Sequence, residues 1–330
     1  MRFRPFPAVS GCYGKKDNMS VSVERSIFMQ PALSLRPKKK RKKWSLFFMV
    51  LPFMAFIIAF RYAPLFGWYL AFIDYSVGKP ILQHEFIGLK NFSMLLTNRS
   101  FSRALYNTLI YSSIKYVLLF TPPIFAILFH EIDSVFFRKL VQTASTLPHF
   151  ISWIIVYGLV YAMFTTDGPV NAVLGIFGQS QKLLSDKHKV YVFLCAIWLW
   201  KVLGWNSIIY VAAIAGIDQE LYDAARIDGA GRLGCALHVT LPGIMPTMIV
   251  LLLLGVAEFF TNSRDQVLVF ENAYNTKNVL TLELYTYKQG LQNMDYSYAT
   301  AIGILQSIVS ITLLFVTNWI AKRVRGTSIV

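Results

Sequence analysis

The chain has 330 residues, of which 55% are hydrophobic and only 15% charged, against ~25% charged residues in an ordinary soluble domain. Its formal net charge is +15, but twelve of the 32 Lys and Arg fall within residues 1–43. This composition excludes a typical soluble globular domain, and confining so much positive charge to one tail argues against a nucleic-acid-binding surface.

Residues 1–43 are polar and end in Arg36-Pro37 followed by KKKRKK. They lack the apolar h-region of a cleavable signal. They are expected to form a partly disordered basic tail on the cytoplasmic side of a membrane, with Met29 as an alternative start to Met1. From Trp44 onward long apolar runs recur. In lipid each segment must bond its own backbone polar groups, so these runs read as membrane-spanning helices.

Six spans are expected, at about 44–66, 105–129, 140–164, 190–214, 243–261 and 298–321. Pro52 and Pro64 predict kinks in the first. The aromatic stretch GWYLAFIDY to Tyr75 suits the outer interface, and 76–103 reads as an outer segment. Residues 130–139 read as a short cytoplasmic loop, and 165–189 as an outer loop with a surface helix within GPVNAVLGIFG. Residues 262–297 read as the longest outer loop, and as the first choice for contact with an outside partner. The basic ends, including Lys322 and Arg323, place both termini in the cytoplasm. Residues 44–330 thus form one all-α integral membrane domain.

Metal and redox chemistry find little support. Cys12, Cys195 and Cys235 are too scattered for a disulfide framework or a metal site. His130-Glu131 begins like a zinc-protease motif, but the fifth position is Ser134. The remaining histidines, His84, His149, His188 and His238, are dispersed and read as structural or surface residues. No cluster of candidate catalytic groups appears, so the chain is not expected to be an enzyme.

The most polar continuous piece of the apolar region is Asp218–Pro242, DQELYDAARIDGAGRLGCALHVTLP. Asp218 suits an N-cap, and Glu220 and Asp223 lie where the helix dipole favours negative charge. Gly229 is a natural stop, able to take positive φ. Ala224 and Ala225 keep one face flat enough for another backbone to approach. The prediction is a surface helix of about ten residues followed by a second helical piece over about 231–241. Such a hairpin could be a mere connector or a docking element.

The order D-A-A-x-x-D-G-A from Asp223, followed eight residues later by V-x-L-P from Val239, resembles the EAA motif of ABC importer permeases. Asp223 stands where that family usually has Glu, and Val239 where it usually has Ile. The resemblance extends from about Leu51 to Arg323, through PLFGWYLAFIDY, FIGLKNF, VQTASTLPHFISWIIV, GWNSIIYVAAIAGIDQELYDAARIDGAG and DYSYATAIGILQSIVSITLLFVTNWIAKR. These stretches are similar to the polysaccharide-type, LplB-like branch of sugar permeases. The TNSRDQ stretch departs from that pattern, and the first 40 residues are not covered.

The resemblance implies a type I importer permease (MetI-like) fold with a cytoplasmic coupling helix, in a bacterial inner membrane. It implies a second homologous permease, two copies of a cytoplasmic ATPase and an extracytoplasmic solute-binding protein as partners. ATP and Mg would be bound by the ATPase, and no cofactor by this chain. Glu220, Asp223, Ala224, Ala225, Asp228, Gly229 and Pro242 would then form the ATPase-coupling surface.

Ionisable groups at membrane depth usually face a cavity or a partner. Lys115, Lys201 and Glu258 are therefore substrate-pathway candidates. Asn107, Trp198, Trp205, Asn206 and Tyr210 join them, since amides and aromatic faces suit sugar rings. All eight could equally be packing residues or pair with a neighbouring subunit. Lys115 and Lys201 would suit an acidic oligosaccharide such as a uronate. The competing reading is an ion-coupled secondary transporter, which often shows internal repeats; no repeat is evident.

Overall fold

A computed structural model describes residues 44–176, 186, 189–261 and 264–325; the expected basic tail of 1–43 lies outside them. The chain divides into residues 1–55 and 56–330. In the first unit the described part is the start of an apolar helix, Trp44–Ile57, with Pro52 inside it. Its Phe47, Phe48 and Met49 are exposed, as lipid-facing side chains are.

The second unit is helical, and the only β-pairing among its described residues is an isolated bridge between Ile73 and Phe86. Among the described residues of the chain, five helices are long and apolar enough to cross a membrane, or six with one bent pair. The first such stretch, Phe47–Phe72, runs further than the expected end at 66. The aromatic GWYLAF is its last part and not a separate interfacial segment. The continuation depends on a change of helical pitch. The amide of Ala63 bonds back to Ile58 in a wide π-turn, and Pro64, which has no N–H, opens the tighter helix Ala63–Phe72. The same device recurs at Arg232–Ala257. There the amide of Leu241 bonds back to Ala236, and Pro242 follows without breaking the helix. The fifth span therefore begins at Arg232 and not at 243, and Pro242 lies inside it.

The third span departs most from expectation. The 140–164 run is not one helix. Val135–Phe150 and Trp153–Ile176 meet at 106°. Pro148 sits in a 3₁₀ turn, Leu147–Phe150, and the Ser152 side chain caps a new helix by accepting from the Ile155 amide. The lower arm already starts at Val135, capped by Ser134, so the loop expected over 130–139 shrinks to 131–134. The surface helix expected after the span is present as Pro169–Ile176.

Of the segment expected as an outer loop, residues 264–297 are not open chain. They carry the short helices Arg264–Phe270, Thr276–Val279 and Leu282–Tyr287. Val267, Phe270, Val279 and Leu284 join Tyr111, Val156 and Leu194 in one apolar core, while Leu282 and Tyr285 join Phe101, Ala104 and Ile302 in another. The segment's apolar residues alternate too irregularly for a span, yet they are too many to leave in water.

Polar side chains bind this segment to the spans. Asn107 donates to the carbonyls of Lys277 and Leu280, each at 3.0 Å, and accepts from the Tyr191 hydroxyl at 2.8 Å. The Thr108 hydroxyl accepts from the Leu282 amide at 2.7 Å. Gln266 donates to the Leu194 carbonyl at 2.7 Å and accepts from the Tyr111 hydroxyl. Non-helical backbone at membrane depth is tolerated where protein supplies such partners.

The fourth span, Val190–Ala215, lies against both arms of this arrangement. At Gly204 a Cβ would collide with the backbone of Ser145, so the lower arm of the third span packs at backbone distance. We expect Gly204→Leu to force these helices apart and to destabilise the purified protein by at least about 1–3 kcal/mol. The check is a lower thermal midpoint in detergent, with Gly158→Leu, which meets open space, as the control.

Candidate functional site

Two features combine chemistry with exposure: the hairpin over 218–242 and a cavity among the third, fourth and fifth spans. In the hairpin, Asp218 caps the helix Gln219–Ile227 by accepting from the Glu220 amide at 3.1 Å. The helix ends as local chemistry requires. Gly229 has φ +85°, its amide bonds to the Arg226 carbonyl at 3.0 Å, and the Ala230 amide reaches the Ala225 carbonyl at 2.9 Å. This pair of bonds closes the last turn around a left-handed glycine.

Tyr222 is the buried side chain of this helix, and its hydroxyl meets the Thr240 hydroxyl at 3.0 Å. At the other end of the hairpin Arg232 pairs with Asp133 at 2.8 Å. Glu220, Asp223, Ala224, Asp228, Gly229 and Pro242 are exposed, and Ala225 is half-buried. Asp223 lies 3.5 Å from Arg226 on the same face. Apolar side chains also stand in the open here, chiefly Leu221, Ile227, Leu233 and Leu237. An exposed face mixing carboxylates, small residues and bare aliphatics is suited to burial against another protein.

The cavity has a volume of about 630 Å³. Six of the eight sequence candidates line it: Trp198, Lys201, Trp205, Asn206, Tyr210 and Glu258. Lys115 lines a small adjoining cavity of about 60 Å³ together with Trp198 and Glu258. Its ammonium is 4.7 Å from the ring centres of both Tyr111 and Trp198. Asn107 lines neither. Its amide is engaged with the 277–280 backbone.

The remaining wall comes from residues that sequence reasoning passed over: His149, Trp153, Arg264, Asp265, Gln266 and Glu283. The polar run at 264–266 was visible, but only the fold shows that it turns inward. His149 and Trp205 are stacked, ring centres 4.4 Å apart and planes at 1°, and Phe150 meets Trp205 edge-on at 5.5 Å. Arg264 pairs with Asp265 at 3.0 Å, and its backbone amide donates to Glu283 at 2.9 Å. The wall thus sets aromatic faces beside hydrogen-bonding groups, with cations and carboxylates both present. Among the described residues no three His, Cys, Asp or Glu side chains gather to hold a metal.

The connectivity joins the two features. The hairpin links the fourth span, which carries Trp198, Lys201, Trp205 and Tyr210, to the fifth, which ends with Leu254, Gly255 and Glu258 in the same cavity wall. The hairpin is thus continuous in sequence with helices on two walls of the cavity.

Comparison with known proteins agrees with this geometry. Residues 124–326 match the family described as binding-protein-dependent transport system inner membrane component. The chain is 36% identical over 312 residues to Protein LplB of Bacillus subtilis (strain 168), covering 94% of this chain and 96% of that protein. It is 36% identical over 282 residues to the polygalacturonan/rhamnogalacturonan transport system permease protein YteP of the same organism, covering 84% of this chain and 88% of YteP. A chain in the crystal structure of a bacterial alginate ABC transporter, in complex with alginate pentasaccharide-bound periplasmic protein, superposes with a TM-score of 0.80 at 31% identity, covering 87% of this chain and 96% of that one. The chain is a member of the family of binding-protein-dependent transport system inner membrane components, the permease subunits of ABC importers.

Proposed function

We propose that this chain forms one half of the translocation pathway of an ATP-driven importer for oligo- or polysaccharide. It pairs with a second homologous permease, two copies of a cytoplasmic ATPase dock beneath, and a solute-binding protein delivers substrate from outside. Residues 44–330 are the permease domain in a bacterial cytoplasmic membrane, with the basic 1–43 tail and the C-terminus inside. ATP and Mg belong to the ATPase, and this chain transmits force without performing chemistry.

The observation that carries this reading is the hairpin. It is short, capped at both ends and exposed, and it joins the two helices that wall the cavity. Its outer face offers Asp223 to a basic group of the ATPase, while Ala224, Ala225 and Gly229 allow close approach and Glu220 and Asp228 extend the acidic rim. Pro242 lies inside the fifth span, just after the π-turn over Ala236–Thr240. Motion of the ATPase on this face shifts the fourth and fifth spans, and with them Trp198, Trp205, Tyr210 and Glu258. Saccharide as the cargo is supported by the relatives' names, which specify polygalacturonan/rhamnogalacturonan, arabinooligosaccharides and lactose. It is supported too by the lining, since aromatic rings stack on sugar faces while Asn206 and Glu258 can meet hydroxyls.

In proteoliposomes containing the assembled complex, uptake should require ATP and persist when ion gradients are collapsed. An ion-coupled transporter would show the opposite dependence. Asp223→Arg places a cation where a basic partner is expected, and like charges across an interface cost several kcal/mol. It should lower substrate-stimulated ATP hydrolysis by roughly tenfold or more, each factor of ten being ~1.4 kcal/mol.

Gly229→Val should act more mildly through the fold. It forces a β-branched residue into a left-handed conformation, at roughly 1–2 kcal/mol. Faster amide exchange over 219–230 should accompany any loss of coupling. If Asp223→Arg leaves stimulated hydrolysis and uptake intact, the docking role assigned to this face is wrong.

A further inference from the structure

Lys201 lies mid-way along the fourth span, where a cation invites assignment as a ligand for an acidic sugar. Its surroundings exclude that. An ammonium has three N–H donors. The carbonyl oxygens of Pro148 at 3.0 Å, His149 at 2.8 Å and Ile151 accept all three. The residue is 7% exposed, and the Trp153 ring centre is 5.3 Å from Nζ. No donor remains for a substrate carboxylate.

The bend in the third span explains this arrangement. Where a helix stops, its last carbonyls lose their amide partners and carry the negative end of the helix dipole. Inside a membrane no water replaces those partners. The Pro148 carbonyl also accepts from the Ile151 amide at 3.2 Å; a buried ammonium is costly on its own and so are carbonyls short of donors, and each lessens the other's penalty. The turn held in this way, 148–151, carries His149 and Phe150, and the upper arm begins with Trp153. His149 and Phe150 meet Trp205 from the fourth span, in the stack and edge-on contact described above. His149, Trp153 and Trp205 all face the 630 Å³ cavity.

We propose that Lys201 is a positioning residue. It clamps the carbonyls of the 148–151 turn, so that His149, Trp153 and Trp205 present a fixed aromatic wall to the sugar rings of the cargo, charged or uncharged. The choice of cargo rests on the saccharide-import reading; the clamp itself does not. On this account removing the ammonium loosens the wall and weakens every saccharide alike. A lysine that captured carboxylates would instead lose only acidic ones.

The test uses the assembled importer in nanodiscs without its binding protein, comparing wild type with Lys201→Met. Tryptophan emission of the ligand-free complex should shift in Lys201→Met, and the shift should vanish in a Trp205→Phe background. An unchanged emission spectrum overturns the clamp. Binding of arabinopentaose and of a uronate pentasaccharide should each weaken by roughly tenfold, the order expected from misplaced ring contacts. Selective loss of the uronate overturns the proposal in favour of an anion ligand.

If neither saccharide binds wild type, the saccharide reading falls and the emission shift still decides the clamp. If Lys201→Met fails to assemble, Lys201→Gln, which keeps two N–H donors for the carbonyls but no charge, takes its place. It should retain part of the affinity for both sugars, and loss confined to the uronate again counts against the clamp.

Discussion

A membrane offers the backbone no water, and this chain repeatedly interrupts its helices among its spans. Every interruption has to be answered by a side chain. At 147–152 the answer is Lys201. After the fifth span it is Gln306, which donates to the Phe260 carbonyl at 2.7 Å, with Ser112 on the Phe259 carbonyl. Around 271–281 it is Asn275 on the Phe270 carbonyl at 3.0 Å, with Asn107 and Thr108 from the second span. Breaks and cavity share a cause, since a helix that stops short leaves space beside it and brings polar atoms to the edge of that space. Lys201, Glu258 and Gln266 all line the cavity and all stand at or against such ends.

Interruption and continuity divide the work of the molecule. Pro64 and Pro242 sit where breaks are expected, yet a π-turn just before each lets the helix run on. For the fifth span this matters mechanically. One continuous helix reaches from Arg232, beside the hairpin, to the cavity wall at Glu258. The fourth span is likewise unbroken, and at Gly204 it is locked against the lower arm of the third. The broken segments shape what lies between these continuous helices.

Local chemistry was legible where it sufficed. The hairpin helix was readable to within a residue, because Asp218 and Gly229 act through bonds only a few residues away. The membrane class was readable because apolar length needs no knowledge of neighbours. The third span misled because a proline in an apolar run predicts a kink, and its angle depends on whether something distant satisfies the freed carbonyls. Residues 262–297 misled because scattered polar groups resemble a loop until Asn107, Thr108 and Tyr111 are seen to bind them. Among the cavity candidates, position in a span marked Trp198, Lys201 and Glu258, but it also marked Asn107, whose amide bonds the 277–280 backbone.

The sequence by itself determined the all-helical membrane architecture, the hairpin with its caps and the family, since each depends on composition or on residues close along the chain. Only the tertiary structure decided the 106° bend, the inward fold of 264–297 and the use of the Lys201 charge. These turn on which distant atoms meet. An ammonium at mid-span has the same sequence signature whether it faces substrate or three backbone carbonyls, and the two outcomes differ only in where residue 148 lies relative to residue 201.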